Sequence, residues 1–556
     1  MLHAPRTDAA SPVAALCDVS VRYPFAARDA VGPVSFTLNR GERVLLLGPS
    51  GSGKSTLLLT LTGLVPNHVP ADVRGGIALF GEPVAARTTA DWALKVAQFF
   101  QDADQTLCGM SIEDEIAFPL ENRGVPEAEI HRRISEVMAE LLLPEAWRRR
   151  SSAALSGGER QLVALASALV QDADLFIADE PTAHLAPEAA ERFHRILAKP
   201  RPRQTVLVVD HRFDGLIEHV DRIIALGPNG TVCAEGPTRR VLRENLGRFR
   251  ELGIWCPPAI ALDALLMEAG HKRPLAPLSV AEALPTRCDE RSRAAVRSFL
   301  SAYGPTARAP QTAASEPIVG LQNADCAPFL ARPVLRGISL SLRAGACAAL
   351  VGPNGAGKTT LGATLAGILP VKSGRRFGPL GGVAFQRPEN QLLTGRGGDE
   401  IASSLPRSLS AEAQARQVSQ ALARWDLCGF EDRHPYELSQ GQKRRLALAS
   451  LTVSDRWPLI VLDEPTAGLD AAGAASLAGY IVAMRAGGKA ILLITQDIDF
   501  AATVADRLII LAAGRIAADG DPASILADTG RLRRAGLSAP AYLPAARWLA
   551  ERSRPC

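Results

Sequence analysis

Gly48-Pro49-Ser50-Gly51-Ser52-Gly53-Lys54-Ser55-Thr56 is the stretch that decides the fold. It follows the apolar run Val44 to Leu47, which reads as a buried strand, and precedes Leu57 to Thr62, which reads as the start of a helix. That is the strand, glycine loop, helix context that the G-x-x-x-x-G-K-[ST] pattern requires. Glycines let successive backbone N–H groups turn inward around phosphate oxygens, and the helix N-terminus adds partial positive charge. Lys54 would reach the β- and γ-phosphates and Ser55 would ligate Mg²⁺. The pattern recurs as Gly352-Pro353-Asn354-Gly355-Ala356-Gly357-Lys358-Thr359-Thr360.

The recurrence extends along the chain. The two glycine loops are offset by 304 residues. Leu155-Ser156-Gly157-Gly158-Glu159 and Leu438-Ser439-Gln440-Gly441-Gln442 are offset by 283, and Asp179-Glu180-Pro181 and Asp463-Glu464-Pro465 by 284. The first copy therefore carries roughly 20 extra residues between its glycine loop and Gln101. Gly253-Ile254-Trp255-Cys256 and Gly536-Leu537-Ser538-Ala539 keep the 283 offset. A whole domain with a C-terminal appendage is duplicated. The segment 272–317 reads as a linker with one short helix. Apolar runs such as Val206 to Val209 and Ala490 to Ile494 alternate with helical patterns, which predicts α/β architecture around a largely parallel sheet.

Composition narrows the function classes. The 556 residues carry 62 basic and 58 acidic side chains, a net charge of +4, and 47% hydrophobic residues. No long single-sign run points to nucleic acid or an anionic surface as the main partner. The nine cysteines are scattered without a C-x-x-C pair, which suits reduced thiols rather than disulfides or zinc. Met1 to Ala10 holds no apolar stretch, so no signal peptide is expected, and no apolar run is long enough to span a bilayer. A membrane role would come through a partner.

Four more motifs follow the first glycine loop. A strand runs into Gln101, whose amide can contact Mg²⁺ or water. Ser156-Gly157-Gly158 opens a helix with amides suited to an anion. The strand Leu175 to Asp179 ends in two carboxylates, one to hold Mg²⁺ and one, Glu180, to orient or deprotonate the attacking water. Asp210-His211 then places a histidine at a strand end.

In this order, and twice over, the motifs resemble the ATP-binding cassette (ABC) ATPase family. The resemblance implies an α/β chain of two tandem P-loop ABC ATPase domains. Each would have a largely parallel sheet, a helical signature subdomain and a short C-terminal helical appendage. The domains fall at residues 13–255 and 318–535, the first appendage and linker at 256–317 and the last appendage at 536–556. It also implies ATP and Mg²⁺ as cofactors. Walker A would be Gly48 to Thr56 and Gly352 to Thr360. The Q-loop glutamines would be Gln101 and Gln386, the signature residues Ser156, Gly157, Gly158, Ser439 and Gly441, and the Walker B aspartates Asp179 and Asp463. Glu180 and Glu464 would be the catalytic glutamates, His211 and Gln496 the switch positions, Asp470 the D-loop aspartate and Tyr23 the aromatic stacking on adenine. Mg²⁺ would be held by Ser55, Gln101 and Asp179 in the first copy, and by Thr359, Gln386 and Asp463 in the second.

A finer resemblance is to the energy-coupling-factor ATPases that drive cobalt, nickel and vitamin importers. It rests on Gln101-Asp102-Ala103-Asp104-Gln105-Thr106-Leu107 with Glu113 to Phe118, and on Gln386-Arg387-Pro388-Glu389-Asn390-Gln391-Leu392 with Asp399 to Ala402. That branch docks this segment onto a transmembrane coupling protein, with a membrane component choosing the substrate. The implied protein is a fused, peripheral subunit on the cytoplasmic face of the cell membrane with no nucleic-acid partner. A soluble tandem ABC protein of ribosomes or DNA is the alternative, but those relatives carry a long charged linker, iron–sulfur cysteines or zinc insertions. The fused ATPase of sugar importers is a third reading.

The copies also differ. In this family two domains pair head to tail, each ATP lying between one Walker A and the opposite signature. Gln496 stands where the family has histidine, Ala186 where it has the D-loop aspartate, and Cys326-Ala327-Pro328 lacks the adenine aromatic, for which Phe329 is the substitute at hand. All three departures fall on the site of Lys358, whereas the Lys54 site has only Gln440 for a signature glycine. The expectation is unequal sites, with Glu180 carrying most hydrolysis.

Overall fold

A computed structural model describes residues 12–103, 106–155, 157–182, 185, 187–199, 203–210, 213, 215–286, 288–305, 316–329 and 331–552. The chain divides into two compact units, residues 1–260 with 273–279, and 261–272 with 280–556.

The first unit is built from β1 (Ala14–Arg22), β2 (Val31–Leu38), β3 (Arg43–Leu47), β4 (Asp72–Leu79), β5 (Glu82–Pro83), β6 (Val96–Phe99), β7 (Leu175–Asp179), β8 (Thr205–Val209), β9 (Arg222–Leu226) and β10 (Val232–Pro237). An antiparallel sheet runs β2-β1-β4-β5, and a second sheet runs β10-β9-β3-β8-β7-β6. β3, β6, β7, β8 and β9 are mutually parallel, with β10 antiparallel at one edge. Every residue of β7 and β8 is buried. Continuous apolar runs covered on both faces are what a parallel sheet demands.

The second unit repeats this with β11 (Pro317–Cys326), β12 (Leu335–Arg343), β13 (Cys347–Val351), β14 (Val371–Phe377), β15 (Gly381–Ala384), β16 (Leu459–Asp463), β17 (Ala490–Ile494), β18 (Arg507–Ala512) and β19 (Arg515–Gly520). Its sheets run β12-β11-β14 and β15-β16-β17-β13-β18-β19. The duplication reaches backbone detail: β1 and β11 each break register around one left-handed residue, Asp18 at φ 48° and Asn323 at φ 45°. The extra residues of the first copy include β5 and the helix Thr89–Trp92, whose buried Trp92 donates from Nε1 to Val84 O at 2.9 Å. In the second copy β14 leads to β15 through three residues.

A helical subdomain is inserted between β6 and β7, and another between β15 and β16. The helices Ile112–Glu121, Glu127–Glu140 and Gly157–Leu169 pack together in the first. Glu127–Glu140 buries Ile130, Ile134, Val137 and Met138, one stripe of a 3.6-residue period. Gly397–Ala402, Ala411–Arg424 and Gln440–Thr452 do the same in the second.

The first appendage carries the helix Pro258–Glu268, and the segment expected to be a linker carries the helices Val280–Ala283 and Glu290–Tyr303. The last two pack on the C-terminal helix Leu543–Arg552, and buried Trp548 donates from Nε1 to Pro285 O at 3.0 Å. Residues 280–303 thus fold with the C-terminal appendage. Among the described residues every cysteine is a free thiol, and no helix is long and apolar enough to cross a membrane.

Candidate functional site

In both units the glycine loop and the candidate carboxylates follow the carboxyl ends of parallel strands. This is where such sheets leave a crevice for ligands. β3 ends at Leu47 and the chain enters its glycine loop, reaching the helix Lys54–Leu61 through Gly53 at φ +85°. A Cβ on Gly53 would lie 2.2 Å from Ala30 O, so only glycine fits this approach. Gly51 has open space around it at φ +80°, as does Gly355 at φ +78° in the second unit. Buried Lys54 donates from Nζ to Gly48 O at 2.8 Å and Pro49 O at 3.0 Å, and Lys358 repeats this with Gly352 O at 2.8 Å and Pro353 O at 3.1 Å. Each ammonium is held at the centre of its loop. Burial pushes the Lys358 amine down, while Glu464 and Asp463 pull it back up. A polyanion entering the loop reinforces its charged form.

Tyr23 shares a hydrogen bond of 3.1 Å between its hydroxyl and Thr56 Oγ1, which fixes its ring beside the start of the helix Lys54–Leu61. In the second unit Phe329 is largely exposed.

The strands β7 and β16 end at Asp179 and Asp463, the expected Walker B aspartates, both buried. Thr359 donates from Oγ1 to Asp463 Oδ2 at 2.7 Å. A hydroxyl beside a single carboxylate is the oxygen set that Mg²⁺ takes when substrate phosphates complete its shell. Thr359 and Asp463, with Ser55 and Asp179 at the matching positions, are the residues that would hold the ion.

The next residues carry the same strain in both units. Glu180 and Glu464 each sit at φ +47°, and each donates its backbone N–H across the sheet at 2.8 Å, to Val209 O and Ile494 O. A left-handed glutamate costs on the order of 1–3 kcal/mol and persists only where its surroundings over-determine it. The turn swings each carboxylate off the strand axis.

What grips the carboxylates differs. Gln101 Nε2 donates to Glu180 Oε2 at 2.8 Å. Glu464 Oε2 accepts from the backbone N–H of Gln496 at 3.2 Å, and its buried Oε1 has no partner among the described residues. Burial raises the Glu464 carboxyl to about 7 against the opposing pull of Lys358. Gln496 turns its side chain to Walker A, donating from Nε2 to Asn354 Oδ1 at 2.7 Å. Gln386 is exposed and makes no side-chain bond to Glu464.

His211, Ser156 and Ala186 lie outside the described residues, as does the side chain of Gln440. Gly157 and Gly158 begin the helix Gly157–Leu169. Ser439 caps the helix Gln440–Thr452 in a capping box with Gln442 and so precedes Gly441 at a helix N-terminus. Asp470 caps the helix Ala471–Ala486, accepting from Gly473 N at 2.8 Å.

The segments after the Q-loop glutamines are folded around buried carboxylates. Glu115 accepts from Cys108 N at 2.9 Å, Met110 N at 3.0 Å and Ser152 Oγ at 2.7 Å. Glu400 accepts from Leu393 N at 2.9 Å, Thr394 N at 2.8 Å and Thr394 Oγ1 at 2.9 Å. Both carboxylates lie within the segments that the sequence offers for docking. Their equal place in the repeat was the available signal that each carboxylate shapes the loop. In the second unit Gln391 adds a brace, donating from Nε2 to Ala447 O at 3.0 Å and accepting from Phe385 N at 3.3 Å.

The sequence matches the ABC transporter family over residues 31–183 and 335–467. The chain belongs to the ABC transporter family. A Bacillus subtilis ATP-binding protein, YkoD, whose name assigns it provisionally to HMP/thiamine import, is 33% identical over 91% of each chain. A Streptomyces coelicolor protein, SCO2324, provisionally named an ABC transporter ATP-binding protein, is 32% identical over 95% of each. Among solved structures, ABCE1 from a ribosome-bound archaeal Pelota and ABCE1 assembly aligns with 93% of this chain and 80% of its own. Its TM-score is 0.62 at 20% identity, a likeness of fold. The ABC chain binds ATP and is an ATPase with two tandem domains.

Proposed function

We propose that this ABC ATPase is the energy-coupling subunit of a membrane importer of the energy-coupling-factor type, serving vitamin or metal-ion uptake from the cytoplasmic face of the cell membrane. The observation that carries the reading is the build of the post-Q-loop segments. Each is pinned from inside by a buried glutamate, and the second offers Leu393 to solvent at 87% exposure. A rigid loop with an outward apolar side chain suits docking onto an integral-membrane coupling protein. The substrate-binding membrane component would be a separate chain. The provisional import name of the Bacillus relative supports the same reading.

In the mechanism Mg²⁺ supplies charge neutralisation at the β- and γ-phosphates. The chain's residues do the rest. The loops Gly48 to Thr56 and Gly352 to Thr360 surround the phosphates, with Lys54 and Lys358 at their centres. Tyr23 stacks on adenine. Glu180 and Glu464 orient the water, with His211 and Gln496 at the γ-phosphate. On the pairing that the family resemblance implies, Ser156, Gly157, Gly158, Ser439, Gly441 and Asp470 complete the sites, and Gln496, Ala186 and the missing second aromatic weaken the one at Lys358. Gln496 reaching Asn354 supports a positioning role without proton transfer. Binding would draw the halves together and hydrolysis release them.

The test is co-purification of the full chain from membranes in mild detergent. A small integral-membrane partner is the expected companion, lost when Leu393→Asp is introduced. Sedimentation with ribosomes instead would overturn the reading in favour of a ribosomal ABC protein.

A further inference from the structure

Arg444 lies seven positions into the signature motif of the second unit and is 8% exposed, in a helix whose neighbours Lys443 and Arg445 reach ion pairs nearer the surface. A buried guanidinium is costly unless its donors are satisfied. Arg444 satisfies two of them on backbone carbonyls: Nη2 donates to Gln386 O at 2.6 Å, and Nη1 donates to Glu464 O. One side chain therefore spans the Q-loop glutamine and the Walker B glutamate. Burial lowers the guanidinium to about 10 while Glu464, Asp463 and Glu389 oppose this, so it stays charged at neutral pH.

The first unit carries a different side chain at this place. The 283 offset puts Gln161 at this place, 1% exposed, with its Nε2 buried and without a partner among the described residues. There Gln101 touches Glu180 directly, through side chains, at 2.8 Å. The second unit has no such side-chain contact, and the two segments are joined through Arg444.

We propose that Arg444 is a positioning residue of the second unit, a strut that transmits the place of the Q-loop to Glu464. The assignment rests on Glu464 being the water-orienting glutamate of that unit. The fork matters: a guanidinium places two donors at a fixed spread, whereas an ammonium of similar reach is a point charge. Displacement of the loop at Gln386 moves the carbonyl of Glu464 with it, at a residue already held at φ +47°. The loop that faces a partner and the turn that sets the carboxylate become one mechanical element.

The experiment uses the full chain with Glu180→Gln as background, so that turnover reports the second unit. Arg444→Gln installs what the first unit has at Gln161, and Arg444→Lys keeps the charge without the fork. Amide exchange over 385–393 should quicken about tenfold or more in Arg444→Gln, with 96–103 in the first unit unchanged. The dissociation constant for a fluorescent ATP analogue should stay within about twofold while kcat drops about fivefold or more. Arg444→Lys should recover part of both. Unchanged exchange at 385–393 overturns the strut, as does a loss of kcat that merely follows a loss of ATP affinity. Glu464→Gln in the same background separates the two ideas. If it leaves turnover untouched, the role of Glu464 fails, and the exchange result alone decides the strut.

Discussion

Removing the Glu115 carboxylate should unpin the segment after Gln101 without unfolding the ATPase core. Glu115 is 3% exposed and accepts three hydrogen bonds, from Cys108 N, Met110 N and Ser152 Oγ. A bond to a charged acceptor contributes about 1.5 kcal/mol at the low end, so three give about 4.5 kcal/mol. Cys108 is exposed, and water will replace the acceptor there, which leaves about 3 kcal/mol for Glu115→Ala. At about 1.4 kcal/mol per decade, the opening equilibrium of the loop rises on the order of 100-fold. The assay is amide exchange followed on a peptide spanning 106–112, with the peptide of β3 as reference. The expected result is exchange about 100-fold faster in the loop and unchanged in β3, accompanied by weakened retention of the membrane partner. Glu400→Ala should do the same to 391–396, because Leu393 and Thr394 hang on it in the same way. Acceleration below about fivefold would refute the reasoning, since it would mean that the carboxylates do not hold these loops. So would equal acceleration in β3, which would report general destabilisation.

Other outcomes follow from the two units. Glu180→Gln should cost more ATPase activity than Glu464→Gln, on the order of 10²-fold for the dominant unit; equal losses, or a larger loss at Glu464, would sink the inequality. Lys54→Ala should likewise damage steady-state turnover more than Lys358→Ala, although each ammonium has the same two carbonyl partners. Acid should destabilise the first unit through His194, whose buried Nε2 has no partner among the described residues and whose imidazole burial pulls down to about 4 from 6.5, with His219 adding to it. The folded value lies below the unfolded one, so the contribution is intact above about pH 6.5 and is lost as pH falls toward 4. That amounts to about 1 kcal/mol between pH 7.5 and 5.5, read as a fall in melting temperature that His194→Asn removes.

Much of the fold could be read from short-range pattern. Glycine loops need strand and helix on either side, so Gly48 to Thr56 and Gly352 to Thr360 located β3, β13 and their helices. The unbroken apolar runs of β7, β8, β16 and β17 announced a sheet covered on both faces. Residues 280–303 were harder. Their polar and proline-rich flanks resemble a linker, and only packing against Leu543–Arg552 and Trp548 shows that they belong to a folded appendage.

The sequence by itself determined the duplication and the glycine loops between strand and helix, and it nominated the carboxylates, because those depend on residue type and on spacing along one strand or one turn. Tertiary structure alone decided how each carboxylate is held. Gln101 grips Glu180, while Gln496 and Arg444 secure Glu464, and these partners come from positions 20 to 79 residues away in the chain. Arg444 and Gln161 stand at one place in the repeat and look interchangeable on paper. They differ because only the longer, forked side chain reaches two carbonyls at once, and that reach exists only after the Q-loop and the Walker B strand have been brought side by side.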